Sequence, residues 1–205
     1  SPFDYDRQVE LILEEALPDP TKDPEAFARE SHTRVLTHLL ENRGRALVLC
    51  TSWRYLHELV DRIRPDLEYE GIELLVQGEL PNPELLRRKR EISMSVLIGT
   101  DSMWEGIDVP GDALTMLIIT RLPFAQPGHP LAEARIRRIE AEGGSGFRDL
   151  SLPEAILKFR QGFGRLVRTS RDRGKVVVLD PRARTKKYGR DFLTALPDGV
   201  LREDS

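Results

Sequence analysis

Five short, almost unbroken apolar stretches, separated by segments of helical character, set the tightest limit on what this chain can fold into. Residues 46–50 read Ala-Leu-Val-Leu-Cys, residues 72–76 Ile-Glu-Leu-Leu-Val, residues 95–99 Ser-Val-Leu-Ile-Gly and residues 175–180 Lys-Val-Val-Val-Leu-Asp, while 113–120 is rich in Leu, Ile and Met. Runs this short and continuous are strands covered on both faces. Residue spacing predicts helices over 24–40, stopped by Asn42-Arg43-Gly44, over 53–64, closed by Pro65, and over 83–92, 129–141 and 153–168. Strands alternating with helices imply the α/β class, with a mostly parallel sheet and helices on both faces. Val9, Ile12, Leu13 and Ala16 have helical spacing, and Pro18-Asp19-Pro20 would end that helix. The expected organisation is one domain over 1–205. Residues 1–30 form a lead-in segment, and 129–150 a helical, Gly-rich elaboration.

Composition narrows the function classes. With 40% hydrophobic and 32% charged residues the chain is a soluble globular type, neither disordered nor repetitive. No apolar run approaches the ~18 residues of a membrane span, so no membrane partner is expected. No secretory signal is visible at the start, and a lone Cys50 has no internal disulfide partner, which suits a reducing cytoplasm. Cys50 lies inside an apolar run and reads as a buried structural thiol rather than a nucleophile. The net charge of −3 hides an asymmetry: residues 158–190 carry twelve bases against Asp172 and Asp180. A basic third on an acidic chain points to a local anion site.

Ligands of open parallel sheets bind beyond the C-terminal strand ends. Here those ends are Thr51-Ser52, Gln77-Gly78, Thr100-Asp101, Arg121 and Asp180 to Arg182, all polar or charged. Thr51 and Ser52 can cap a helix, and the same helix N-terminus can hold a phosphate. Residues 99–111 run from a buried strand into a turn with hydroxyls, acids and Gly106. Backbone N–H groups there can hold a phosphate, and Asp108 can accept from a sugar hydroxyl; a capped turn is the alternative. Residues 161–168 read Gln-Gly-Phe-Gly-Arg-Leu-Val-Arg. Arg165 and Arg168, three apart, share a helix face and can enclose a phosphate with permanently charged forks. The competing explanation, surface ion pairs worth roughly 0–1 kcal/mol, leaves the helix-weakening Gly162 and Gly164 unexplained.

What the sequence lacks is equally informative. It contains no Gly-x-x-x-x-Gly-Lys-Ser/Thr loop, and His32, His38, His57 and His129 are dispersed rather than set at metal-ligand spacing. The arginines therefore read as serving a nucleotide whose main phosphate cradle lies elsewhere.

The motifs together resemble the second RecA-like motor domain of superfamily 2 DNA helicases of the DinG/XPD type, in particular its bacterial DinG/YoaA-like branch. Residues 46–53 resemble motif IV, with Cys50 where Phe is usual; residues 102–111 resemble motif V, with Met103 for a usual Phe; residues 161–168 resemble motif VI. Residues 74–78, 121–125 and Tyr188-Gly189 are further family-like signatures. The resemblance implies a RecA-like fold that binds ATP and Mg2+ jointly with an N-terminal RecA-like domain of the same protein. That absent half would carry the Walker motifs and any iron–sulfur cluster. It implies Arg165 and Arg168 as arginine fingers, with Gln161 near the phosphates. Asp108 would contact the ribose, and Glu105 and Gly106 would shape the cleft. Thr51, Ser52, Gln77 and Thr100 would contact single-stranded DNA phosphates. The expected function is the C-terminal motor half of an ATP-dependent 5′–3′ DNA helicase, inactive as an ATPase on its own. The alternative is a non-catalytic helicase-like module for DNA or protein docking.

Overall fold

The computed structural model describes residues 8–100, 103, 109, 111–125, 128, 130–164, 166, 173–197 and 200–204. Seven strands form one sheet: β1 (Val9–Leu13), β2 (Ala46–Leu49), β3 (Glu73–Val76), β4 (Ser95–Gly99), β5 (Met116–Ile119), β6 (Gly174–Val178) and β7 (Leu201–Asp204). Their order is β3-β4-β2-β5-β6-β1-β7, and every pairing is parallel. Parallel neighbours need crossovers, supplied by α1 (Pro24–Glu41), α2 (Trp53–Tyr69), α3 (Asn82–Glu91) and α5 (Leu152–Phe163). The helix α4 (Pro130–Ala141), a π turn over Phe147–Ser151, α6 (Arg182–Thr185) and α7 (Gly189–Thr194) complete the described elements.

Side chains alternate along β1 to β6 between two cores. Val48, Ile98, Ile118 and Val177 face one cluster with Phe27, Val35 and Leu39 of α1 and Leu56, Leu59 and Ile63 of α2. Leu47, Leu49, Leu97, Leu117, Val176 and Val178 face the other, with Leu85 of α3, Phe159 and Phe163 of α5 and Phe192 of α7. Burying a Leu, Val or Ile on either face contributes about 1.5–3 kcal/mol, so continuous apolar strands suit a sheet sandwiched between helices.

Three expectations need correction. The helix read over Val9, Ile12, Leu13 and Ala16 is instead a strand: Val9 to Leu13 pair with Gly174 to Val178 on one side. On the other side, Glu10 to Leu13 pair with Leu201 to Asp204. Four of its five residues are buried, so burial on both faces outweighs the coincidental helical spacing. Pro65 does not close its helix, because α2 runs through it to Tyr69 and buries Leu67. The helix of 153–168 ends earlier, at Phe163, where Gly164 caps it with a bond from its amide to the Arg160 carbonyl (3.0 Å).

Two polar groups seal the packing. Lys89 of α3, 1% exposed, donates to the carbonyls of Ser95 (2.8 Å) and Ala113 (2.6 Å), tying the helix to β4 and to the approach to β5. Burial, and then the nearby Arg45 charge, pull its ammonium down to about 7.

Glu14 follows β1 and fixes it to α1. Its amide donates to the Val178 carbonyl (3.0 Å), its Oε1 lies 2.9 Å from His38 Nε2, and its Oε2 lies 3.5 Å from Arg34 Nε. The His38 hydrogen bond, opposed by burial and helped by Arg34, holds the carboxyl below its ordinary 4.5. A depressed folded-state value adds stability above the unfolded value and loses it as pH falls through the folded one. Glu14→Gln should therefore cost about 1.5–3 kcal/mol at pH 7. It should also flatten the fall of the urea midpoint on acidification below pH 4.5; equal acid sensitivity of the two proteins would refute this role.

Candidate functional site

Because all strands point the same way, their C-terminal ends gather polar side chains at one rim. β2 leads into Cys50, whose amide donates to the Gly99 carbonyl (2.8 Å) and extends the ladder by one residue. Cys50 is fully buried, and burial pushes its thiol up to about 12, in keeping with a packing role. Thr51 and Ser52 follow, both partly exposed. Ser52 is the N-cap of α2, its Oγ accepting from the Tyr55 amide (3.2 Å). Both functions expected of this serine use one helix N-terminus, whose partial positive charge favours anions.

Gln77 and Thr100 end β3 and β4 and meet: Gln77 Oε1 accepts from the Thr100 amide (2.6 Å) and hydroxyl (3.3 Å). Both are buried, at 9% and 5% exposure, so their side chains organise the rim from within. Gly99 makes this possible. A Cβ there would fall inside the Met103 side chain and 2.8 Å from Gln77 Oε1. The Met103 amide bonds back to the Thr100 carbonyl (2.8 Å), and its side chain is 1% exposed.

The remaining strand ends are fixed by a buried carboxylate. Asp180, 1% exposed, accepts from the Leu122 amide (2.9 Å), the Arg182 amide (3.0 Å) and the Arg182 guanidinium (2.6 Å). A buried charge is tolerated only when paired and hydrogen-bonded, and this one joins the chain after β5 to the chain after β6. Phe124 then stacks into a cluster with Phe147, Tyr188 and Phe192 at ring separations of 5.4–5.8 Å. The two signatures around 121–125 and 188–189 thus pack on each other.

Beside Ser52 lies a cleft of about 470 Å³ lined by Arg29, His32, Arg54, Tyr55, Glu58 and Arg121, among others. Arg121 donates to the Pro20 carbonyl (3.0 Å) and lies over the Phe27 ring, 5.0 Å from its centroid. His32 Nε2 and Arg121 Nε are buried without a hydrogen-bond partner among the described residues. Burial lowers the His32 pKa, so the ring favours its neutral form. Arg121 was visible in the sequence as a strand end. Arg29, His32 and Arg54 were missed, because helix-surface charges on α1 and α2 carry no sign of the cleft between them.

Of the other expected site residues, Gln161 sits in the last turn of α5, partly exposed. Arg165, Arg168, Glu105, Gly106 and Asp108 lie outside the described residues. Their described neighbours share one core: Met103 and Val109, which bracket the second group in sequence, belong to the same cluster as Phe163 and Leu166, which bracket Arg165. Leu166 packs on Gly174, the first residue of β6. A Cβ there would meet Leu166 Cδ1 at 2.8 Å and the Thr115 carbonyl at 2.6 Å. Leu166 is therefore anchored at the opposite end of β6 from the rim that carries Ser52 and Thr100. Among the described residues, no group of three or more His, Cys, Asp or Glu could hold a metal ion.

An all-parallel sheet covered by crossover helices, with its polar groups collected at the strand ends, is a doubly wound α/β domain, and its resemblance to solved helicase domains makes it RecA-like. Solved structures agree on the fold: apo XPD superposes with a TM-score of 0.71 at 16% identity, covering 97% of this chain and 40% of that one. Domain 2 of the DEAD-box protein Mss116p gives 0.57 at 14%, covering 97% and 64%. Residues 35–199 match the family described as the helicase C-terminal domain, and the chain belongs to that family. It is 38% identical over 205 residues to ATP-dependent DNA helicase YoaA of Haemophilus influenzae, covering all of this chain and 31% of the relative. It is 37% identical over 207 residues to the Bacillus subtilis protein named 3′-5′ exonuclease DinG, covering 99% of this chain and 22% of that protein. The chain thus spans under a third of the length of these relatives.

The rim turn makes its own prediction. Gly99→Ala must displace Met103 and the Gln77 amide together, and overpacking of this kind costs about 1–3 kcal/mol. Urea denaturation should show that loss; a stability within 0.3 kcal/mol of the parent, ~the error of such a comparison, would contradict the tight turn.

Proposed function

We propose that this chain is the C-terminal motor half of an ATP-dependent 5′–3′ DNA helicase. The observation that carries the reading is similarity along the whole chain, motifs included, to proteins named ATP-dependent DNA helicases. The family itself is described as a C-terminal helicase domain. The absence of a Walker loop from the sequence fits a nucleotide site completed by a first RecA-like domain.

On this reading ATP is the substrate. Water attacks the γ-phosphorus, the bond to the β–γ bridging oxygen breaks, and ADP and phosphate leave. Arg165 and Arg168 place permanent positive charge against the transferring phosphoryl group, the arginine-finger contribution. Gln161 lies by the phosphates, Asp108 accepts from the ribose, and Glu105 and Gly106 shape that edge of the cleft. Magnesium, when bound by the other half, neutralises charge on the phosphates. Closure of the two halves is driven by the fingers' attraction to the γ-phosphate and released by hydrolysis. Single-stranded DNA crosses the opposite rim, where Thr51, Ser52 and the turn organised by Gln77 and Thr100 hold backbone phosphates without reading sequence.

Two measurements test this. In the full-length protein, Arg165→Ala and Arg168→Ala should each lower DNA-stimulated ATP hydrolysis by about 10³-fold or more, whereas the 205-residue chain alone should hydrolyse none. Normal rates in both variants would remove the finger assignment. The 205-residue chain should bind single-stranded oligonucleotides with an affinity that falls steeply with salt. Ser52→Ala combined with Thr100→Ala should weaken that binding, and an unchanged affinity would refute the rim as the DNA face.

A further inference from the structure

We propose that Trp53 is a stacking platform for a nucleobase of the single strand held at the rim. The inference rests on the reading of the rim as the DNA face and adds a base contact to it. Trp53 is the first residue of α2, directly after the N-cap Ser52. It is a large aromatic side chain left 46% exposed, whereas Leu56, Leu59, Val60 and Ile63 of the same helix are buried. Its indole stacks on His57, one helical turn later, with ring centroids 5.8 Å apart and planes 27° from parallel. It also lies over the turn that follows Gln77: a Cβ built on Gly78 would sit 3.6 and 3.7 Å from its six-membered ring. The indole is therefore held between the Ser52 cap and the Gln77–Gly78 turn, rather than swinging freely.

Position separates Trp53 from the other exposed apolar side chains among the described residues. Tyr69 ends α2 and Met94 precedes β4, which places both at the far end of the sheet. Leu131 and Leu157 lie on α4 and α5, and Phe147 is shared with the aromatic cluster. Of this set, Trp53 directly follows the Ser52 cap at the C-terminal strand ends. Phosphate contacts fix a strand's position but leave its bases free, and an aromatic face beside them captures a base whatever its identity. His57 backs the indole and limits the freedom lost when a base docks. The ligand is thus a single-stranded nucleic acid, with the indole taking a base face and the Ser52 cap a neighbouring phosphate.

The test uses the 205-residue chain, a fluorescein-labelled deoxythymidine oligonucleotide and a matched oligonucleotide of abasic residues. Trp53→Ala should weaken binding of the first about 5- to 150-fold, the range for loss of one base–aromatic stack, and leave binding of the second unchanged. Trp53→Tyr should retain most of the affinity. The slope of affinity against salt should be the same in Trp53→Ala as in the parent, since no phosphate contact is lost. With Trp104→Phe, Trp53 is the sole indole, and the oligonucleotide should quench its emission. If oligonucleotide binds but Trp53→Ala matches the parent and emission is unquenched, stacking is overturned while the DNA rim stands. Loss of affinity equal for both oligonucleotides, or a shallower salt slope, would also overturn stacking. If neither oligonucleotide binds at all, the rim and the platform fall together.

Discussion

Parallel hydrogen-bond ladders govern this molecule. Parallel strands cannot be joined by tight turns, so each connection crosses the sheet and brings a helix or loop onto one of its faces. That requirement explains why the strands carry apolar residues on both sides and why two separate cores exist. It also fixes a direction. Every strand begins at one rim and ends at the other, so helices α1, α2, α3 and α5 return the chain past the sheet. The polar residues at 51–52, 77, 100, 121 and 180 meet because the ladder is parallel, although up to 129 positions of sequence separate them.

Once gathered, the rim still has to hold its shape, and backbone groups at strand ends lack ladder partners. The structure satisfies them locally. The Leu49 carbonyl takes bonds from both the amide and the hydroxyl of Thr120 (3.1 Å each). The Asp180 carboxylate collects two amides and a guanidinium, and Gln77 takes the Thr100 amide. Each buried donor left unmade would cost about 1–3 kcal/mol, so the rim is rigid for the same reason that it is polar. Such order is what the proposed phosphate-gripping role requires, since contacts that must first be ordered lose binding energy to that ordering.

Much of this was readable before the coordinates, and the failures have physical causes. The four runs at 46–50, 72–76, 95–99 and 175–180 each became a strand because no helix of useful length can be built from five apolar residues. Val9 to Leu13 were ambiguous: a short apolar segment matches either period, and its partners lie over 160 residues away at β6. The strand β7 carried no signal, since Leu-Arg-Glu-Asp has no apolar run; a charged edge strand is a common way to keep a sheet edge from pairing further. Pro65 was misread as a stop because local rules cannot weigh the burial of Leu67, which keeps α2 going. At the site, residue types at strand ends were legible. The cleft beside Ser52, the burial of Gln77 and Thr100, and the setting of Trp53 against Gly78 depend on tertiary neighbours.

The turn after β4 links the two halves of the proposed mechanism. Its start, Thr100, is bonded to Gln77 at the C-terminal rim of the sheet. Three residues on, Met103 is locked against Gly99 and enters the core shared with Phe163 and Leu166, the neighbours of Arg165. Glu105, Gly106 and Asp108, proposed to meet the nucleotide, follow in the sequence. On the proposed mechanism, a strand pulling on Thr100 meets close packing on either side: Gly99 admits no side chain, the Met103 amide is tied to the Thr100 carbonyl, and the Met103 side chain is enclosed. Coupling between sites needs an element whose position both ligands bias, and close-packed interiors transmit displacement rather than absorb it. Gly99, Thr100 and Met103 meet the structural half of that condition on the proposed mechanism. Thr100 bonds to Gln77 at the rim, and Met103 lies in the core shared with Phe163 and Leu166, the neighbours of Arg165.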